Sequence, residues 1–409
     1  MQTTPLKYLV SCNDEVLSEK TDADYEFDYI EIGSVEYGKG ITSTERMTYG
    51  KAPSRARRIV KRGDVIISTV RTYLKAVAYI NDSHDEQIAS TGFAVLRPTN
   101  IYDRFLYYSV LADDFIQKVE ANSVGISYPA ITTTKLMTFK IPTLPLYEQQ
   151  AIANYLDDRC SKIDTIIAEA KASIEEYKEL KQAVIYEAVT KGLDKTVEMK
   201  HYNDWFDKCP SNWEYKQIRY LYELRDERNF KPLSEVNLIS LYTDQGVIQH
   251  ADIEKTSGNK AITADGYKKV YPEDIVVNII LCWMGAMGRS EYQGVTSPAY
   301  DVYKPIGGSK VCSRYYHYLF RTDRFSKKCY TVGRGIMMMR WRTYSSQFRA
   351  IKVPVPPYNE QIEIANYLDK RISHMEELIN AKQSLIEDLE AYKKSLIYEV
   401  VTGKRKVVA

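Results

Sequence analysis

The chain has 409 residues, 44% of them hydrophobic and 27% charged, which is the composition of a globular protein large enough for two cores. Its apolar runs are too short to span a bilayer and its N-terminus lacks the layout of a secretion signal, so a cytoplasmic protein without a membrane partner is expected. The net charge is only +2, and the six cysteines and five histidines are too scattered to predict a disulfide framework or a local metal site.

Residues 1–146 are predicted to form a domain of mixed helices and strands. The short β-branched run at 64–70 is typical of a strand, and residues 93–96 are predicted to form a further strand. The apolar spacing over 102–119 is typical of helical structure. Between Glu45 and Asp64 the domain carries an unbroken basic stretch.

Residues 147–191 are predicted to form one long helix. Leucine, isoleucine, alanine and tyrosine recur at a spacing of seven from Leu156, and an acid lies in the predicted first turn at Glu148. Pro145 stops the helix from extending upstream, and Gly192 marks its end.

The rest of the chain repeats this order. Residues 192–211 read as a polar linker, residues 212–356 as a second mixed domain, and residues 357–409 as a second long helical region. In the second domain, 274–281 and 300–303 are predicted strands and 313–328 is a predicted helix.

The order repeats because the chain is duplicated. At a shift of 212 residues the segment at 142–191 realigns with 354–403, and roughly 21 of 50 positions are identical. Between these helical segments similarity almost vanishes, which favours one scaffold that carries two different recognition domains.

A helix of this length cannot bury its apolar stripe alone, and the simplest partner is its own duplicate. The fold class is therefore α+β, with two mixed globular domains separated by two long helices that form a coiled coil with an internal pseudo-twofold. The alternative, in which each helix packs only on its own globular domain, stays open.

Each globular domain contains a basic run interleaved with aromatic residues, at 46–62 and 321–349. Cations supply sequence-independent affinity for phosphates, while aromatic, amide and hydroxyl groups read base edges and shape. A solvated basic face would explain either run alone, but the occurrence of one run in each duplicated domain favours nucleic acid.

The pattern Pro-x-x-Pro-x-x-Glu-Gln-x-x-Ile-x-x-Tyr-Leu-Asp at Pro142–Asp157 returns from its Glu-Gln onward at Glu360–Asp369. With the central segment that leads from Gly192 to Trp213, it resembles the conserved regions of type I restriction-modification specificity subunits. The resemblance covers the whole chain in outline, although the start of the first repeat lacks the tryptophan-containing lead-in found before the second.

The resemblance implies a non-catalytic subunit whose helices pair antiparallel and whose two target recognition domains each read half of an asymmetric, bipartite site in double-stranded DNA. It also implies two methyltransferase subunits docked on the helices, restriction/translocase subunits joined to that core, and no cofactor on this chain, with S-adenosylmethionine on the methyltransferase. Half-sites about one helical turn apart, roughly 34 Å, would suit this geometry.

Candidate DNA contacts lie on turns after predicted strands, in the loops before the long helices and in the basic runs; no catalytic or metal-binding residue is predicted. The candidates for base contacts in the first domain are Arg71, Tyr73, Ser90, Thr91, Ser127 and Tyr128. Their counterparts in the second are Trp283, Arg334, Met339, Arg340, Arg342 and Tyr344. The candidates for phosphate contacts are Arg55, Arg57, Arg58, Lys327 and Lys328.

Two other classes compete with this interpretation. A coiled-coil scaffold that binds no nucleic acid explains the helices but not two diverged basic domains. An enzyme would need its own chemistry, yet no amino-methylation motif, glycine-rich cofactor loop or nuclease cluster stands out in the sequence.

Overall fold

The computed structural model describes residues 2–202, 204–243, 245–250, 263–308, 310–336 and 341–407. The chain divides into two compact units, and each combines one mixed domain with part of both long helices. Unit 1 is Met1–Lys171 with Gln383–Ala409, and unit 2 is Ala172–Lys382.

The described part of unit 1 begins with short strands and ends with a long helix. Its strands are β1 Thr3–Pro5, β2 Val10–Cys12, β3 Glu26–Ile30, β4 Val35–Glu36, β5 Gly40–Ile41, β6 Glu45–Thr48, β7 Ala56–Ile59, β8 Val65–Ser68, β9 Val77–Tyr79, β10 Ile88–Ser90, β11 Phe93–Pro98 and β12 Lys140–Pro142. Its helices are α1 Asp103–Leu111, α2 Asp113–Ala121, the single turn α3 Thr133–Leu136, and the part of α4 Leu146–Lys191 up to residue 171.

Two four-stranded sheets form the core of unit 1. One has the order β2-β11-β8-β9 and is antiparallel throughout; the other has the order β6-β3-β10-β7, with β3 and β10 parallel. All four residues of β8 are buried, which suits its β-branched sequence Val-Ile-Ile-Ser.

In its described residues, unit 2 also combines short strands with three short helices and part of the long helices, but its strands do not correspond one for one to those of unit 1. Its strands are β13 Met199–His201, β14 Lys208–Pro210, β15 Glu214–Gln217, β16 Tyr222–Leu224, β17 Ile239–Tyr242, β18 Gly246–Gln249, β19 Lys268–Val270, β20 Ile275–Asn278, β21 Met287–Arg289, β22 Gly294–Thr296, β23 Tyr300–Pro305 and β24 Lys352–Val355. Its helices are α5 Ser313–Phe320, α6 Asp323–Val332, the single turn α7 Ser345–Phe348, and the part of α8 Tyr358–Val401 up to residue 382.

The sheets preserve the duplication where the sequence has lost it. The order β16-β23-β20-β21 in unit 2 repeats β2-β11-β8-β9 in unit 1, and the two-stranded sheet β15-β24 repeats β1-β12. The two mixed domains therefore share their central framework despite their diverged sequences.

The helical spacing predicted over 102–119 and 313–328 is confirmed, but neither segment is one continuous helix. Each segment forms two helices, since Ala112 adopts an extended conformation between α1 and α2, and Thr322 caps the start of α6 by accepting the N–H of Phe325. A capping threonine and a pair of aspartates in a new first turn start a second helix more readily than they continue the first.

The long helices α4 and α8 pack against each other in an antiparallel coiled coil. In unit 1, Asp164 of α4 forms an ion pair with Lys393 of α8 at 2.7 Å, and Lys171 of α4 forms one with Glu390 of α8 at 3.8 Å. The residue number increases along α4 as it decreases along α8, so the two helices are antiparallel. In unit 2, Lys181 of α4 pairs with Glu376 of α8 at 2.6 Å. The predicted helix ends are confirmed, because Gly192 takes a positive φ of 71° one residue after α4.

Candidate nucleic-acid interface

A five-residue turn and a hairpin-like loop lie side by side at one end of the sheet β2-β11-β8-β9 in unit 1. The turn is residues 71–75, which begins three residues after the end of β8, and the loop is residues 124–130, which we call loop A. Loop A is closed by two hydrogen bonds between Val124 and Ala130, of 2.9 and 3.0 Å. It is joined to the turn region by Ile131 N–H, which donates to Thr69 O at 2.8 Å, and by Thr72 N–H, which donates to Pro129 O at 3.4 Å.

This arrangement brings together four of the predicted base-contacting residues. The Arg71 guanidinium lies 5.2 Å from the ring centroid of Tyr128 in loop A, and Tyr73, Ser127 and Tyr128 are exposed. An arginine that stacks on an aromatic ring leaves the N–H donors at the edge of its guanidinium free to bind a guanine edge or a phosphate.

The turn holds its side chains in an uncommon backbone conformation. Arg71 and Lys75 both lie in the left-handed region, with φ of 52° and 53°, on either side of the short 3₁₀ turn Thr72–Leu74. For non-glycine residues such conformations cost of order 1 to 3 kcal/mol each and concentrate at functional sites. Contacts from loop A to the turn hold this conformation in place.

Ser90, at the end of the neighbouring strand β10, was a candidate for a base contact, but the structure buries it. Its exposure is only 1%, and its hydroxyl accepts the N–H of Gly92 at 3.2 Å, so it stabilises the turn from inside. Thr91 is exposed, and its N–H donates to the Arg55 carbonyl at 2.7 Å.

The three predicted phosphate contacts of unit 1 have different surroundings. Arg55 forms an ion pair with Glu31, which offsets its charge. Arg57 lies 4.7 Å from the ring centroid of Tyr49 and is half-buried. Arg58 is half-buried too, with its Nε atom enclosed and without a hydrogen-bond partner among the described residues.

Unit 2 repeats the closed loop with other side chains. The main chains of Arg334 and Arg342 are joined by two hydrogen bonds of 2.8 and 2.9 Å, and Thr343 N–H donates to the Ile279 carbonyl at 2.9 Å. The described residues beside this bridge, 334–336 and 341–342, are called loop B. The candidate contacts Met339 and Arg340 lie outside the described residues.

An aromatic cluster supports loop B. Tyr330 stacks on Trp341 at 4.8 Å between ring centroids and also contacts Trp283 at 5.7 Å. The Trp283 N–H is buried, without a hydrogen-bond partner in the described part of the chain, so it does not present a donor at the surface. At Gly333 a Cβ atom would lie 2.5 Å from Trp341 Nε1, so this position requires glycine because of close packing.

The remaining candidates in unit 2 divide into exposed and paired side chains. Lys327, Arg334 and Tyr344 are exposed, and Arg342 is half-buried. Lys328 donates to Asp204 at 2.7 Å; burial raises the pKa of Asp204, but its hydrogen bonds with Lys328 and Tyr215 outweigh burial and lower it. The Lys328 charge is therefore neutralised within the domain.

Sequence reasoning missed the residues that hold each recognition domain on its helices. Gln149, in the first turn of α4, accepts the N–H of Tyr102 at 2.8 Å and donates to the Leu144 carbonyl at 2.7 Å. Its duplicate, Gln361 in α8, accepts the N–H of Cys312 at 2.9 Å and donates to the Pro356 carbonyl at 2.8 Å. Both glutamines therefore bind the backbone at the start of the first helix of their domain.

An aspartate two turns further along each long helix adds a second attachment. Asp157 accepts hydrogen bonds from Arg104 and from the Tyr108 hydroxyl of α1, the latter at 2.7 Å. Asp369 does the same for Arg314 at 2.5 Å and Tyr318 at 2.7 Å in α5. The repeated Glu-Gln and Tyr-Leu-Asp motifs were the signal for these contacts, which fix the orientation of each domain.

The described residues contain neither a metal-binding cluster nor a membrane-spanning helix. No group of three or more histidine, cysteine, aspartate or glutamate side chains in them is arranged to hold a metal ion. Within the same ranges, no helix combines the length and apolar character that crossing a membrane requires.

Comparisons with known proteins identify the family. A family model described as the type I restriction modification DNA specificity domain matches residues 10–176 and again residues 210–388. The chain is similar to the specificity subunit of the type I restriction enzyme MjaVIII from Methanocaldococcus jannaschii, at 24% identity over 323 residues that cover 75% of this chain and 71% of that protein. A putative MjaX specificity subunit of the same organism is 24% identical over 365 residues, which cover 84% and 79% of the two chains.

Solved structures share the fold. The HsdS subunit from Thermoanaerobacter tengcongensis gives a TM-score of 0.56 at 20% identity, covering 99% of this chain and 97% of that one. A chain from a structure described as the basis of complex assembly and conformational transition of the type I R-M system gives 0.74 at 19% identity, covering 98% and 97%. With two copies of the family's domain along its length, this chain belongs to the family of type I restriction-modification DNA specificity proteins.

Proposed function

We propose that this chain is the DNA-recognition subunit of a type I restriction-modification enzyme and that each unit reads one half of an asymmetric, bipartite target. The observation that carries the proposal is the repeated pairing of a closed loop with the end of the central sheet. In unit 1 this places Arg71 on Tyr128, and in unit 2 it places Arg334 and Arg342 on either side of loop B. The same frame with different side chains suits two different half-sites.

The long helices have two roles in this proposal. They set the spacing between the half-sites, and their outer faces dock two methyltransferase subunits, to which restriction/translocase subunits are added. Exposed apolar side chains on both helices support docking, among them Ile166, Leu180, Leu385 and Tyr392.

The chain itself is non-catalytic in this proposal, and S-adenosylmethionine binds to the partner methyltransferase. The lack of a methylation motif in the sequence supports this assignment. Incubation of the purified chain with DNA and a labelled methyl donor is expected to transfer no label until methyltransferase subunits are added. Transfer by the chain alone would contradict a purely recognition role.

Mapping of methylated bases in the host genome tests the central claim. A split motif with two unlike halves is expected. The Arg71→Ala variant should relax one position of one half by about 1 to 3 kcal/mol, whereas Lys327→Ala should weaken binding to all sequences alike and reduce the salt dependence. A chain that binds no DNA at low salt, with or without methyltransferase subunits, would instead be a scaffold.

A further inference from the structure

Each recognition loop presents one isoleucine entirely to solvent. Ile126 has a relative exposure of 103% and Ile336 one of 95%. Ile126 lies two residues after Val124, which is bridged to Ala130, and Ile336 lies two residues after Arg334, which is bridged to Arg342. The two loops thus place the same apolar side chain at the same position, although their sequences differ.

The tip of loop A is held firmly. Besides its closing hydrogen bonds, the loop pairs Ala130 with Val70, and Tyr128 carries the Arg71 side chain. Gly125 takes a positive φ of 118° and makes the sharp bend just before Ile126. Removal of an exposed apolar side chain from water lowers the free energy, so burial of Ile126 against a ligand is favourable.

The width of the loop indicates which groove it enters. At the isolated bridge between Val124 and Ala130, the two arms of loop A lie roughly 5 Å apart, and their side chains about double that width. The major groove, about 12 Å wide, admits two adjacent backbone segments of this width, whereas the minor groove, about 6 Å wide, does not. Apolar wedges that unstack base pairs act from the minor groove, so the loop is poorly suited to that role.

In the major groove the apolar group of a base edge is the C5 methyl of thymine. We propose that Ile126 and Ile336 are specificity-determining residues, each packing on a thymine methyl group in the half-site read by its own unit. This inference rests on the proposed function, since it concerns the same loops.

The test uses the full chain assembled with its methyltransferase subunits and the target found by methylation mapping. Each thymine is replaced in turn by deoxyuridine, which keeps the base pair and removes only the methyl group. In one half-site, a single replacement should weaken binding of the wild-type complex roughly three- to tenfold, as expected for one buried methyl group. Ile126→Ala should lose a similar factor on the thymine target and become indifferent to that replacement.

The duplicated chain supplies a matched control. Ile336→Ala should leave the deoxyuridine response of the first half-site unchanged and abolish one response in the other half. If Ile126→Ala lost the same factor relative to wild type on the deoxyuridine target as on the thymine target, methyl recognition would be overturned. A half-site without an A·T pair would overturn it too. A wild-type complex that binds specifically but ignores every replacement would refute this inference alone, whereas one with no sequence preference would refute the proposed function.

Discussion

Replacement of Gln149 by glutamate is expected to loosen the first recognition domain from its helix. Gln149 is 4% exposed and uses both ends of its amide, as an acceptor for Tyr102 N–H and as a donor to the Leu144 carbonyl at 2.7 Å. Glutamate keeps the acceptor and loses the donor, so an ionised oxygen would face the carbonyl oxygen. A buried polar group left without its partner costs about 1 to 3 kcal/mol, and the enclosed charge adds to this.

The penalty of Gln149→Glu should depend on pH with a definite sign. Burial raises the pKa of the introduced carboxyl group in the folded state above its unfolded value, because enclosure disfavours the charged form. Relative to wild type, stability is therefore lost as pH rises above the unfolded value of roughly 4.3, by about 1.4 kcal/mol per pH unit until the folded-state pKa is passed. At lower pH the protonated carboxyl can donate to the Leu144 carbonyl and restore the contact.

Hydrogen exchange of peptides from α1 measures this local stability in the full chain, where several domains make a single unfolding energy ill defined. At pH 8 we expect a loss of roughly 3 kcal/mol for Gln149→Glu, summed from these two costs. Gln150→Glu changes the exposed neighbour in the same helical turn and is the matched control. Equal exchange in the two variants at pH 8, or a loss that grows on acidification, would refute the attachment role of Gln149.

Three further predictions follow from other parts of the chain. The half-buried His317 accepts the backbone N–H of Arg289, and desolvation lowers the pKa of its imidazole to about 3, so the stability of the fold should decrease as pH falls below about 6.5. Hydrogen exchange in α5 should show this decrease in wild type and in the exposed control His374→Asn but not in His317→Asn. Gly333→Ala should displace Trp341 and destabilise α6 by about 1 to 3 kcal/mol, which faster hydrogen exchange in α6 would show. Gly307→Ala is the control and should have no such effect, because a Cβ atom at Gly307 would have no atom within 4 Å. Equal numbers of helical turns added to α4 and α8 should lengthen the spacer in the methylated motif and leave both half-sites unchanged; an unaltered spacer would contradict the role of the helices.

The parts of the fold that the sequence predicted well are those with local signals. Seven-residue spacing, an upstream proline and a terminal glycine placed helix α4 within a residue of its observed bounds, Leu146–Lys191. The predicted strands at 93–96 and 300–303 both appear, as the first four residues of β11 and β23. Both kinds of signal lie within one element, so a single pass along the chain finds them.

The features that the sequence did not predict depend on contacts between distant segments. The sequence placed Ser90 on a turn after a strand, but its hydroxyl is buried and accepts the N–H of Gly92, whose carbonyl accepts the N–H of the distant Thr69. The predicted domain boundaries fall at the starts of the helices, whereas the compact units divide within α4 and α8. Composition along the chain carries no information on which distant segments meet.

One buried ion pair shows how the two domains can diverge and still keep one frame. Asp64 and Asp274 are equivalent carboxylates that each accept a backbone N–H three residues earlier, from Lys61 at 2.8 Å and Tyr271 at 2.9 Å. Their arginine partners come from different strands: Arg97 lies on β11, and Arg225 directly follows β16, each at 2.8 Å.

A buried carboxylate stripped of its partner costs about 3 to 5 kcal/mol, so the frame requires a cation beside it. It does not require that cation to come from a particular strand. The same reasoning applies to the loops, because Gln149, Asp157 and their duplicates hold each domain through backbone and helix contacts that do not involve the loop side chains. The side chains of loops A and B are therefore free to differ without loss of the fold, which is the physical condition for two unlike half-sites on one duplicated chain.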